Sequence, residues 1–160
     1  MADTPWSIAL HESQYAYTLV ESVHVLTLCL FLGFAIILDL RLVGVSMTDV
    51  PVSQVSLRLL PWITAGFVVM VISGALLFYA IPVRTYENIF FRVKVVLLIL
   101  AGLNAFVFHS TIWKRLRDWD NDPVPPARAR LAGVLSLIFW AGIVVAGRMI
   151  AYNWFDKRVY

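Results

Sequence analysis

The stretch 57–83, LRLLPWITAGFVVMVISGALLFYAIPV, carries no charged residue after Arg58. A helix needs about 20 mostly apolar residues to cross a hydrocarbon core of about 30 Å, and this run exceeds that length. Lipid offers no water to backbone amides, so only helices and closed barrels span it. The period-two alternation of a barrel strand is missing from the stretch. It therefore reads as a membrane-spanning helix. Three further segments of the same kind flank it, at about 15–43, 89–113 and 128–155. The connectors between them are polar or proline-bearing: SMTDVPVSQ with Pro51, IPVRTYEN with Pro82, and RDWDNDPVPPARAR with three prolines. The expected fold is all-α, an integral membrane four-helix up-down bundle forming a single domain over 1–160. Thr4-Pro5-Trp6 looks like a helix start, with Thr4 as N-cap and Pro5 in the first turn. That predicts a short interfacial helix at about 4–13.

Composition agrees. The 160 residues are 61% hydrophobic and 14% charged, with mean hydropathy +0.81. A soluble domain carries about 25% charged residues. The net charge of +3 does not point to nucleic acid, because the basic residues cluster at the ends of apolar runs. The single cysteine, Cys29, excludes an intrachain disulfide and any cysteine-based metal motif. The start lacks a basic n-region and a small-residue cleavage site, so the first span is expected to direct insertion itself.

Orientation follows from Lys and Arg. The loops joining spans one to two and three to four hold Arg41, Arg58, Lys114, Arg115, Arg117, Arg128 and Arg130, seven residues. The opposite face holds Arg84, Arg92, Lys157 and Arg158, four, or five with Lys94. The positive-inside rule puts the first set in the cytoplasm and both termini on the periplasmic side of a bacterial inner membrane. Glycine, alanine and serine recur along spans two, three and four, as close helix packing in lipid favours.

Ionisable side chains inside a membrane are expensive, so each is a candidate for function. They fall into two layers. In an up-down bundle, His24, Lys94 and Arg148 come to the same end, with Glu21, Tyr79 and Tyr152. Asp39, Arg41, Arg58 and His109 come to the other, with Asn104 somewhat deeper. His24 to Asp39 and Lys94 to His109 are each fifteen residues, about 22 Å along a helix axis. His24 and His109 are therefore not expected to share one haem iron.

The first layer is the candidate site. On span three Lys94, Leu98, Ala101, Ala105 and His109 form one stripe, and the alanines Ala101 and Ala105 leave room for a flat ligand. Glu21, one turn before His24, is placed to hold its imidazole in one tautomer. A histidine, a lysine and an arginine at one depth offer an axial ligand, a second ligand or proton carrier, and a partner for propionates. Haem b uses that set best, and a quinone headgroup uses it nearly as well. The expected metal ligands are His24 for haem iron and Lys94 as a possible second, with Arg148, Glu21, Ala101, Ala105 and Tyr152 around the cofactor. Plainer roles fit the same residues: an interhelical hydrogen-bonded His24, Lys94 and Arg148 snorkelling to the interface, or a structural ion pair from Glu21. His109, beside Trp113-Lys114-Arg115, reads as an interfacial histidine, and Asp39 as a structural partner of Arg58. Asp118, Asp120 and Asp122 resemble the head of a calcium loop, but Pro123 and Ala129 stand where its glycine and glutamate belong.

The runs ESVHVLTLCLFLGFAIILDLRLVG, LLPWITAGFVVMVISGALLF, FRVKVVLLILAGLNAFVFH and SLIFWAGIVVAGRMIAY resemble a bacterial family of four-span membrane proteins of unknown function. That resemblance implies the fold and no reaction. The histidine pattern around His24 and the F-x-x-K-x-x-L-L around Lys94 are also similar to HemJ-type protoporphyrinogen oxidases, four-span haem proteins that rely on a first-helix His and a later Lys. The Lys94 segment is similar to the CopD copper-resistance domain. Only His24 and Lys94 match the HemJ pattern.

The functional expectation is a membrane-embedded b-type haem protein for electron transfer between quinol and a periplasmic cytochrome or other membrane subunit. The alternatives are a non-catalytic anchoring subunit that binds lipid and another membrane protein, a HemJ-like porphyrinogen oxidase, or a copper carrier.

Overall fold

The computed structural model describes residues 14–80, 82–150 and 152. Four helices in it are long and apolar enough to cross a membrane. Helix α1 is Gln14–Val43 and α2 is Val52–Ala80. A short α3, Pro82–Glu87, leads into α4, Ile89–Val107, and α5 is Ala127–Ile150. The expected interfacial helix at 4–13 and the tail of the last span beyond Ile150 lie outside the described residues, Tyr152 apart. Most of the long apolar side chains are exposed, Leu26, Ile72, Ile99 and Ile138 among them. That is the surface a bilayer covers, and the chain is a multi-pass membrane protein.

The helix boundaries have local causes. Gly44, at φ +82, ends α1 in the left-handed region, where its amide and that of Val45 reach back to the Leu40 carbonyl. A side chain there would also meet Pro125 Cδ at 3.2 Å. Helix α2 begins five residues before the expected position 57 because the distant Asp120 caps it. The Asp120 carboxylate accepts from the Ser53 amide at 2.7 Å and the Ser53 hydroxyl at 2.6 Å, and its carbonyl accepts from the Val52 amide. An anion at a helix N-terminus satisfies free amides and the helix dipole together. The aspartate-rich loop thus caps a helix. Asn88 caps α4 through the Phe90 amide at 2.9 Å.

The third span runs past its expected end at 113. Helix α4 widens into a π turn at Phe108–Ile112 and then tightens into a 3-10 segment at Trp113–Asp118. Three successive side chains bond back to the helix here. His109 Nδ1 reaches the Ala105 carbonyl at 2.9 Å, and Ser110 and Thr111 both donate to the Val107 carbonyl. Such back-bonding competes with the regular ladder and bends it.

Helix α1 packs on α2 and on α5, and α5 packs on α4. The helices thus form an open ring in the order α2, α1, α5, α4, with a gap between α2 and α4. At the His24 end the gap is bridged by Phe78 stacked on Phe91, ring centroids 5.3 Å apart. At the other end Leu42, Val52, Phe108, Trp119, Ala129 and Ala132 form a buried cluster. Trp119 is therefore core and not an interfacial anchor. Arg41 is fully buried there, donating to the Val50 carbonyl at 2.8 Å and the Asp122 carbonyl at 3.1 Å. It clamps the two loops of that end together.

Candidate functional site

His24 is half-buried on α1, and its Nδ1 lies 2.8 Å from the Ser73 hydroxyl of α2. Ser73 is buried, and its own hydroxyl donates to the Val69 carbonyl at 2.6 Å. A hydroxyl has one hydrogen, so with that hydrogen on Val69 the Ser73 oxygen accepts from His24 Nδ1–H. This fixes the neutral imidazole in the tautomer whose Nε2 carries a free lone pair. Gly74 gives the ring its place: a Cβ there would stand 3.3 Å from His24 Cε1. The tautomer is thus set by Ser73, whereas Glu21 is exposed and forms no hydrogen bond with His24.

Lys94, on α4, crosses Gly147 of α5, where a Cβ would lie 3.5 Å from its Nζ. His24 on α1 and Lys94 on α4 lie at the same end of the bundle. Arg148 stays apart. It is exposed and paired with its own helix neighbour, donating to the Tyr152 hydroxyl at 3.2 Å with its guanidinium 5.3 Å from that ring's centroid.

A cavity of about 480 Å³ opens in the gap between α2 and α4, on the Asp39 side of the bundle. Ligand sites span about 300–1,000 Å³. Ala101 and Ala105 line it together with Leu98, Gly102 and His109, so the room beside the alanine stripe lies below Lys94, toward His109. Phe31, Phe67 and Trp140 wall one end, with Phe31 edge-on to Trp140 at 4.7 Å. Phe108, His109 and Trp113 wall the other. The back wall presents Asp39, Ser56, Asn104 and Ser136. Leu98 is one helical turn from Lys94, about 6 Å along the axis, and Phe31 is seven residues from His24, about 10 Å.

Asp39 is 7% exposed, and one of its carboxyl oxygens, Oδ2, has no hydrogen-bond partner among the described residues. Ser136 lies within reach of the carboxyl group. Arg58 is exposed, so the expected pairing with Asp39 does not form. Asp39 and Arg41, two residues apart, serve different places: the first lines the cavity and the second clamps the loops. In the sequence alone Asp39 looks structural, and Ser73 is one of several small packing residues of the second span. A signal for Asp39 was present, since Phe31, Ala35 and Asp39 recur at four-residue spacing on one face of α1 and all three line the cavity. No comparable signal marks Ser73, whose role depends on where α2 meets α1. Among the described residues, no group of three or more His, Cys, Asp or Glu side chains is arranged to hold a metal ion.

Comparison with known proteins adds a family without an assigned activity. No curated protein and no solved structure matches the chain. The model of a family of unknown function, DUF6644, matches residues 10–153, nearly the whole chain, and the protein belongs to that family.

Proposed function

We propose that this protein is a membrane-embedded b-type haem protein that transfers electrons. The observation that carries the reading is the relay from the Val69 carbonyl through the Ser73 hydroxyl to His24 Nδ1, which leaves the lone pair on Nε2 for a ligand. Metal-binding histidines are held in this way, with the second ring nitrogen donating to a neighbour that fixes tautomer and orientation. Haem b, when bound, supplies one-electron carriage. His24 would hold the group through Nε2, and Lys94 would bind it as well or pair with its propionates. Arg148 and Tyr152 form the polar rim of the same end, where a periplasmic cytochrome or another membrane subunit docks. In this reading the protein sits in a bacterial inner membrane with the Arg41 end in the cytoplasm and both termini periplasmic.

The placement of His24 and Lys94 at one end of the bundle also favours a second reading within haem chemistry, a porphyrinogen oxidase similar to the HemJ type, since those are the two matched residues. Absorption spectra of the gently purified protein, oxidised and dithionite-reduced and expressed with haem supplied, test the common part. A Soret band that shifts on reduction, and is lost in His24→Ala, is the expected result. A colourless wild-type protein defeats both readings. Rescue of a strain lacking its porphyrinogen oxidase then separates the second from the first.

A further inference from the structure

The cavity between α2 and α4 is used by nothing in the haem reading, yet it has the build of a site. We infer that it binds the reduced, hydroquinone headgroup of a lipid-soluble quinone, with Asp39 and His109 accepting its two hydroxyl protons as hydrogen bonds. The inference concerns binding alone and stands whether or not His24 carries haem.

Four observations support it. First, access: α2 and α4 barely touch along this stretch, so the cavity opens sideways, toward where the acyl chains lie. Gly102 lines that opening, and a Cβ built on it meets nothing within 4 Å. A ligand dissolved in the bilayer enters without crossing water. Second, shape: Phe31, Phe67 and Trp140 at one end and Phe108 and Trp113 at the other offer ring faces and edges to a flat headgroup.

Third, beside the hydroxyls of Ser56 and Ser136, three groups on the wall offer acceptors. Asp39 Oδ2 is buried without a hydrogen-bond partner among the described residues, and an unsatisfied buried oxygen is costly unless a ligand completes it. His109 Nδ1 faces the Ala105 carbonyl, which can only accept, so Nδ1 bears the hydrogen and Nε2 is an acceptor in the neutral ring. Asn104 donates through Nδ2 to the Ala132 carbonyl at 2.9 Å, which leaves its Oδ1 as a third acceptor. A diphenol supplies two O–H donors to such a wall, and the oxidised quinone supplies none. Fourth, charge: a lipophilic cation would also suit a carboxylate among aromatic rings. This end of the bundle, however, carries seven Lys and Arg residues against Asp39, Asp49, Asp118, Asp120 and Asp122, a modest positive excess that disfavours a cation relative to a neutral ligand. The π turn places His109 on this cavity, and π turns concentrate at functional positions.

The test is calorimetric titration of the full-length protein in lipid nanodiscs with a decyl-tailed dimethoxy-hydroquinone, its oxidised quinone, and tetraphenylphosphonium as the cationic control. Saturable binding at one site per chain is expected, with the hydroquinone preferred over the quinone. Asp39→Asn should weaken hydroquinone binding about tenfold, as for loss of one hydrogen bond to a buried acceptor, and narrow the preference. Gly102→Leu extends a side chain into open space and should abolish binding of both forms with the thermal melt unchanged. It keeps the inference testable where Asp39→Asn folds poorly. Absence of saturable hydroquinone binding, tighter binding of the cation, or hydroquinone affinity unmoved by both substitutions would each overturn the assignment.

Discussion

Ser73 and Arg41 are the residues whose replacement separates chemistry from architecture. Ser73→Ala removes the acceptor that holds His24 Nδ1–H while leaving the ring itself in place. Losing such a supporting partner typically costs about 10–100-fold in metal affinity. The expected outcome is a protein that keeps its helical signal but carries much less haem per chain, read as the ratio of Soret to protein absorbance. Ser73→Thr, which keeps the hydroxyl, should restore most of it. Arg41 has the opposite signature. It is fully buried, and its guanidinium joins the carbonyls of Val50 and Asp122, one from each loop. Hydrogen bonds from a charged donor contribute about 1.5–3 kcal/mol each. Arg41→Ala should therefore lower stability by about 3–6 kcal/mol in denaturant titration of the micellar protein, with the haem signal of the folded fraction unchanged. A loss below about 0.5 kcal/mol, the level of ordinary surface changes, would remove the clamp.

Among the helices, the junction of α2 with the Asp120 loop and the end of α4 decide the shape of the Asp39 end. Asp120 accepts from both the amide and the hydroxyl of Ser53 at the first turn of α2. Asp120→Ala should cost about 1–2 kcal/mol, the usual range for a lost N-cap. It should appear as faster hydrogen exchange at the Ser53 amide, with the middle of α2 still protected. Asp120→Asn, which retains an accepting oxygen, should show a smaller effect. Uniform exchange along α2 in the alanine variant would mean that the loop does not hold this helix. The spans themselves were legible in the sequence, because a run such as 62–80 has no charge and nowhere else to go in a membrane. Their ends were less so. Asp120 sits 67 residues from the serine it caps, and a contact at that range leaves no local pattern to read. The π turn was hidden for a related reason: His109, Ser110 and Thr111 are unremarkable singly and deform the helix only by bonding back in succession.

At the level of the whole molecule, four apolar helices in up-down order admit more than one ring closure, and nothing in composition chooses among them. Small residues occur on spans two, three and four, so their presence could not say which pair would separate. Packing decides it: α1 sits between α2 and α5, the gap falls between α2 and α4, and the cavity follows. That is why helix arithmetic puts Asp39, Asn104 and His109 in one layer but does not reveal the cavity they line. The side of the membrane on which each end lies rests on charge. Seven Lys and Arg residues flank the Asp39 end against six at the other, Lys94 and Arg148 included, and by the positive-inside rule that excess would put the Asp39 end in the cytoplasm. In a Cys29→Ser background, Asn121→Cys marks the Asp39 end and Tyr86→Cys the His24 end, both at exposed positions. A membrane-impermeant maleimide applied to spheroplasts should label Tyr86→Cys and spare Asn121→Cys until the membrane is opened. The reverse pattern would turn the bundle over, place the hydroquinone cavity in the outer leaflet, and bring His24 and Lys94 to the cytoplasmic face, where a periplasmic cytochrome could not reach them.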